Sequence, residues 1–231
     1  MTTTKPYPCT NAVMTNHLAL RTVLFNNNNY PTNASYTNST WIWNGSDWST
    51  STSFLDSAGP PGRKGAGMFC DASKIILFGG ENSVGALGDT WSWLSNVWTQ
   101  LSPSEHPSPR SFMATGSSSS VVISVLFGGK QNGLVLGDTW KWTGSNWSEV
   151  YLSTKPAPRY AANMAGGLTH VVMFGGKNAS KVFSDTWDWY NDTWTQIVPT
   201  TSPTGRYEHA MAYDLTNSYS IIFGGADGHN V

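Results

Sequence analysis

Three aromatic residues in the pattern Trp-x-Trp-x4-Trp occur four times in this chain: Trp41/Trp43/Trp48, Trp91/Trp93/Trp98, Trp140/Trp142/Trp147 and Trp187/Trp189/Trp194. All twelve tryptophans belong to that pattern. A second marker, Phe-Gly-Gly, falls at Phe78, Phe127, Phe174 and Phe223, in steps of 49, 47 and 49 residues. Arg63, Arg110, Arg159 and Arg206 follow closely after prolines and step by 47, 49 and 47. Two scarce residue types in register at one period make the chain a tandem repeat, and a repeat of this length must stack like units to bury its apolar faces.

One unit, residues 107–150, reads as four strands. Arg110 leads into the small-residue strand SFMATG, and the turn SSSS precedes the apolar strand VVISVLF. Gly128-Gly129 is expected to end that strand, because glycine admits positive φ and close backbone approach. The variable segment KQNGLVL then leads to the third strand, DTWKW. The turn TGSN closes a hairpin into the fourth, WSEV. Trp140 and Trp142 are two apart and share one face of their strand. Four short antiparallel strands per repeat resemble the blade of a β-propeller.

The order of apolar strand, Gly-Gly, variable loop, Asp-Thr-Trp-x-Trp strand and final Trp resembles the kelch repeat. The chain is similar in this respect to the central domain of galactose oxidase. The resemblance covers about residues 8–231 and implies an all-β, kelch-type β-propeller with four-stranded antiparallel blades. One domain of four blades plus a half blade is expected, a partial or open propeller over residues 1–231. The blades span about 8–50 (degenerate), 60–101, 107–150, 156–197 and 203–231 (incomplete).

The first and last copies depart from the pattern. In the first, Asn26-Asn27 stand where Gly-Gly is due, and asparagine is the side chain most tolerant of left-handed backbone. Ser39 replaces the Asp ahead of its Thr-Trp. The last copy has RYEHAMAYD and SYSIIFGG but no third or fourth strand, and residues 1–7 supply one short strand at most. An unpaired strand edge is then expected, and with it edge-strand association.

Composition excludes several classes. A formal net charge of −1 with scattered Lys and Arg leaves no footprint for nucleic acid. No apolar run approaches the roughly 20 residues of a membrane span. The stretch MTTTKPYPCTNAVMTN has no apolar signal-peptide core. Low charge, abundant Ser, Thr and Asn, and six Asn-x-Ser/Thr sequons (Asn33, Asn38, Asn44, Asn146, Asn178, Asn191) lean toward an extracellular or surface location. The cytoplasm is the alternative. Cys9 and Cys70 lie about 25 Å apart in register and are expected as thiols.

A catalytic residue is normally unique, whereas a residue present in every repeat is normally architectural. Asp89, Asp138 and Asp185 share one repeat position, so they read as partners of the repeated arginines rather than as a metal ring. The resemblance to galactose oxidase would imply copper held by Tyr and His, with a Cys–Tyr crosslink. His17, His106, His170, His209 and His229 offer no such set. No catalytic residue, metal site or cofactor is assigned.

Function is expected where the copies differ. The segments ENSVGALG, KQNGLVLG and KNASKVFS follow Gly-Gly, and they share one propeller face with the blade-to-blade linkers. Glu81, Lys130 and Lys177, directly after Gly-Gly, are candidate contacts, with Glu105, His106 and Tyr151 from the linkers. The expectation is a non-enzymatic module that binds a protein or carbohydrate through this face. The alternative is a piece of a larger kelch-containing enzyme or lectin-like secreted protein whose catalytic part lies elsewhere.

Overall fold

A computed structural model describes residues 6, 12–17, 21–28, 37–51, 59–71, 74–120 and 123–228. Among these residues the fold is all-β, with four four-stranded antiparallel sheets and one two-stranded sheet. The chain divides into two compact units, Met1–Pro103 with Ser108–Ser111, and Ser104–Pro107 with Phe112–Val231.

The first unit holds two blades. One is β1 (Val13–His17), β2 (Arg21–Asn28), β3 (Thr37–Trp43) and β4 (Trp48–Thr50). The other is β5 (Gly67–Asp71), β6 (Lys74–Phe78), β7 (Thr90–Leu94) and β8 (Val97–Leu101). The second unit holds β9 (Ala114–Ser117), β10 (Ser124–Gln131), β11 (Leu134–Trp142) and β12 (Trp147–Val150). A further blade follows, β13 (Asn163–Gly166), β14 (Val171–Phe174), β15 (Thr186–Tyr190) and β16 (Thr193–Ile197). The half blade is β17 (Ala210–Asp214) and β18 (Tyr219–Phe223). Strands lie side by side in chain order within every sheet. First strands of neighbouring blades meet: β1 lies against β5, and β13 lies against both β9 and β17. This is the β-propeller arrangement.

The tryptophans build the space between blades. Trp93 pairs with Trp98 across the β7–β8 hairpin, and Trp189 with Trp194 across β15–β16. Both hairpins turn on two residues with positive φ, Ser95-Asn96 and Asn191-Asp192, the geometry that matches strand twist. The fourth-strand indole then reaches the preceding blade. Trp98 Nε1 donates to Thr40 Oγ1 at 2.9 Å, and its ring meets Phe25 edge-on at 5.7 Å. Trp194 repeats this with Thr139 at 3.0 Å and Phe127 at 5.7 Å. Around these pairs close two cores, one of Val23, Phe25, Met68, Ile75, Leu77 and Trp91, the other of Val125, Phe127, Met164, Val171, Met173 and Trp187. Full burial of such side chains contributes roughly 1.5–3 kcal/mol each.

A buried clamp locks the β5–β8 and β13–β16 blades. Arg63 Nη1 and Nη2 donate to the two carboxylate oxygens of Asp89 at 2.5 and 2.8 Å, and Nη1 also donates to Gly79 O at 3.0 Å. Trp91 Nε1 adds a third donor to Asp89, at 2.6 Å. Arg159, Asp185, Gly175 and Trp187 reproduce the set. Burial alone would raise the two carboxyls. The arginine and indole hydrogen bonds and the arginine charge outweigh it and hold both below the ordinary carboxylate range. The repeated Asp–Arg pattern is thus a strand-to-strand tie.

Gly-Gly earns its place by contact. Gly128 and Gly175 have φ of 64° and 68°, and a Cβ there would lie 2.4 and 2.3 Å from the carbonyl oxygens of Arg159 and Arg206. The next glycines, Gly129 and Gly176, donate their N–H to those same carbonyls at 2.9 and 2.8 Å. The first copy behaves differently from the expected left-handed turn. Its Asn26 and Asn27 stay in regular strand β2, opposite Ser39 and Asn38. A residue with a Cβ cannot approach a carbonyl as Gly128 does, so the strand runs straight on.

The expected end of the apolar strand at Gly128-Gly129 also needs correction. β10 shifts register between Phe127 and Gly129 and continues to Gln131, with Lys130 opposite Val135. The segment read as a loop is a hairpin that turns on Asn132-Gly133, both at positive φ. Asn-Gly is the strongest short hairpin signal. In addition, β9 begins at Ala114 rather than Ser111, because Phe112 takes a positive φ of 55° that breaks the strand. Cys70 lies half-buried on β5; Cys9 is outside the described residues, as are the N-terminal segment 1–5, Asn33 and His229.

Candidate functional site

Each Gly-Gly turn delivers the next residue to a fixed place. Glu81 bridges Lys64 and Ala86, and Lys177 bridges Tyr160 and Val182. The residue after Gly-Gly therefore sits beside the residue that follows the repeated arginine. Both positions vary between copies, as Glu81, Lys130, Lys177 and Ala226 against Lys64, Ser111, Tyr160 and Tyr207.

In the second unit these positions form a ladder of ammonium groups and rings. Lys130 Nζ lies 4.8 Å from the Phe112 ring centre and 5.6 Å from that of Tyr160. Lys177 Nζ lies 5.5 Å from Tyr160 and 3.4 Å from Tyr207. The order is Phe112, Lys130, Tyr160, Lys177, Tyr207, and every member is half-buried. Each cation–ring contact is worth about 0.5–1 kcal/mol where water still reaches it. The rings hold the lysine stems in place and leave two positive charges on one surface.

The first unit carries the opposite sign at this position. Glu81 accepts from Ser111 Oγ at 2.6 Å and pairs with Lys64 at 3.1 Å. Its carboxylate is thus engaged within the repeat.

The linker candidates gather elsewhere in the second unit. Glu105 N donates to Asn146 Oδ1 at 3.0 Å, and Trp147 N donates to Glu105 O at 3.3 Å. Asn146 lies in the β11–β12 turn, at the far end of β11 from the Lys130 hairpin, so Glu105 and Lys130 do not meet. His106 is exposed, its Nδ1 3.0 Å from Pro107 O. Tyr151 is exposed beside Glu149. That carboxylate accepts from the phenol, and its charge, with that of Glu105, raises the Tyr151 hydroxyl above its ordinary value.

Of the six candidates, Lys130 and Lys177 come together. Tyr160, Tyr207 and Phe112 complete their ladder without having been singled out. The signal existed, since the position after Arg changes from Lys64 to Ser111 to Tyr160 and Tyr207. It was masked by the constancy of the arginine next to it.

Other reactive groups fall outside this ladder. His170 Nδ1 meets Asp188 Oδ2 at 2.7 Å and its ring stacks on Tyr190 at 4.3 Å, a contact across adjacent strands. His209 is buried, with no hydrogen-bond partner for either ring nitrogen among the described residues. Burial, and then the Arg206 charge, lower its pKa to about 4. Among the described residues, no group of three or more His, Cys, Asp or Glu side chains is placed to hold a metal ion. No helix among them is long and apolar enough to cross a membrane.

No protein-family model matches the chain, and no curated protein matches it. The fold and the ladder define a β-propeller-type protein whose copy-to-copy variation is concentrated beside its Gly-Gly turns.

Proposed function

We propose that the chain is a kelch-type propeller module, similar to the galactose oxidase central domain, that binds a protein or glycan and carries out no catalysis itself. The observation that supports this is the ladder of Lys130 and Lys177 between Phe112, Tyr160 and Tyr207. Two ammonium groups at fixed spacing suit carboxylate or sulfate groups, and the ring edges beside them suit the apolar faces of sugars or side chains. The repeated Arg–Asp clamps supply a rigid frame, and the variable positions supply the chemistry.

The test is fluorescence anisotropy with labelled neutral, carboxylated and sulfated oligosaccharides and a polyglutamate peptide. The anionic probes should bind, and the Lys130→Glu/Lys177→Glu variant should lose them while its melting temperature holds within a few degrees. Binding indifferent to both lysines would move the site elsewhere. Stoichiometric copper or iron in the purified protein, with turnover, would overturn the non-catalytic reading.

A further inference from the structure

Lys64 and Lys141 each pair with a carboxylate, Glu81 at 3.1 Å and Asp192. Lys177 is half-buried and has no carboxylate within ion-pair distance among the described residues. Rings alone meet its ammonium, Tyr207 with its centre at 3.4 Å and Tyr160 at 5.5 Å. The hydroxyls of both tyrosines make no hydrogen bond among the described residues, so each O–H is open to an acceptor. A phenol oxygen stands on the rim of its own ring, so an anion seated on the ammonium meets both rims. The backbone beneath is fully used. Tyr160 and Lys177 exchange N–H···O bonds at 2.9 Å in both directions, and Tyr207 and Ala226 do the same. These bridges fix where the three side chains stand.

Resting on the binding role proposed above, we infer that Lys177, Tyr160 and Tyr207 form a seat for one sulfate ester of a sulfated glycan, with the two phenols as its specificity-determining groups. A half-buried ammonium without a counter-charge is costly, and an anionic ligand offsets that cost. Charge selects among anions. One ammonium matches the single charge of a sulfate ester, whereas a phosphate monoester carries about −1.5 to −2 at pH 7 and leaves part of it unmatched. Lys130 does not add to this seat, since it lies nearer Phe112, at 4.8 Å, than Tyr160, at 5.6 Å. Shape selects as well. A sulfate ester presents three terminal oxygens to three donors, whereas a carboxylate has two oxygens in one plane. The spent backbone selects the glycan. A peptide that adds as a strand needs unpaired N–H and C=O groups, and the four bridged residues offer none.

The experiment is fluorescence anisotropy of the full chain with fluorescein-labelled dextran oligosaccharides of one length. They are unmodified, sulfated, carboxymethylated or phosphorylated, at matched low substitution. The sulfated probe should bind saturably and about tenfold or more tighter than the others, the worth of a charge-assisted hydrogen bond. Lys177→Gln should remove that binding. Tyr160→Phe/Tyr207→Phe keeps both rings beneath the ammonium and should bring the sulfated probe down to the level of the carboxymethylated one, with the melting temperature held within a few degrees. Tyr207→Phe alone should lose several-fold and keeps the test valid if the double variant folds poorly. If no anionic probe responds to Lys177→Gln, the ladder is not the binding site and both readings fall. If anionic probes bind through Lys177 but the sulfated one has no advantage, or the phenylalanine variants keep that advantage, the ladder binds and the sulfate seat is overturned. A Gly-sulfotyrosine-Gly peptide that binds tighter than the sulfated dextran would overturn the glycan assignment.

Discussion

In the β13–β16 blade Phe174 is 2% exposed, while at the same repeat position of the half blade Phe223 is 81% exposed. Arg159 is buried in a bidentate clamp, and Arg206 is half-exposed with no carboxylate partner among the described residues. Yet much of the local geometry is the same. Gly175-Gly176 have φ of 68° and 88°, and Gly224-Gly225 have 70° and 86°. Tyr207 bridges Ala226 as Tyr160 bridges Lys177. Two strands and a Gly-Gly turn therefore suffice to shape the backbone. Burial and charge pairing require the third and fourth strands.

That contrast can be broken in four ways. The largest effect should come from the core. Trp189→Ala should cost about 3–5 kcal/mol, whereas Phe223→Ala should stay within about 0.5 kcal/mol. Urea unfolding of the two variants measures this, and equal losses would mean that the half blade is as packed as its neighbour.

Next is the clamp. Asp185→Ala leaves a buried guanidinium uncompensated and should cost about 3 kcal/mol, while Arg206→Ala should cost about 0.5 kcal/mol or less. The folded carboxyl of Asp185 is depressed, so the stability it contributes is present above the unfolded carboxylate pKa near 4 and is lost as pH falls below it. An acid titration of the native protein and of Asp185→Ala, followed by circular dichroism, should show the wild type losing its advantage in that range.

The third concerns His209, whose folded pKa of about 4 lies below its ordinary 6.5. As pH falls the unfolded state takes up the proton first. Stability is fully present above about 6.5 and declines toward pH 4, by at most about 3 kcal/mol. Amide exchange at β17–β18 should quicken across that window ahead of β13–β16, and a His209→Phe variant should remove the pH dependence.

The smallest effect is at the ladder. Lys177→Met removes a charge and keeps the stem, so it should cost about 0.5–1 kcal/mol of stability. Thermal melts beside Lys155→Met, an exposed lysine of the same unit, set the baseline.

Much of the frame was readable from the chain. The spacing of Trp187, Trp189 and Trp194 marked a hairpin, and β15–β16 is that hairpin. Arg159 and Asp185 recurred together, and they pair. The misreadings share one cause. Glycine's freedom to turn predicts a stop at Gly128-Gly129, but the Asn132-Gly133 hairpin beyond it draws β10 onward to Gln131. Conformational tolerance predicts Asn26-Asn27 as a glycine substitute, whereas the glycines serve close approach to a carbonyl. Of the ladder, only the two lysines are legible in the sequence, since Tyr160 and Tyr207 stand next to an arginine that recurs in four copies.

By itself the sequence determined the repeat, the strand order within a blade, the buried tryptophans and the Arg–Asp ties. These depend on alternation and spacing within one copy, which backbone geometry turns into structure directly. Only the tertiary structure decided that Lys130 and Lys177 share Tyr160, that Glu105 belongs to the Asn146 turn, and that Arg206 meets no carboxylate among the described residues. Those facts depend on how one copy packs against the next, and no period along the chain encodes the distance between two copies.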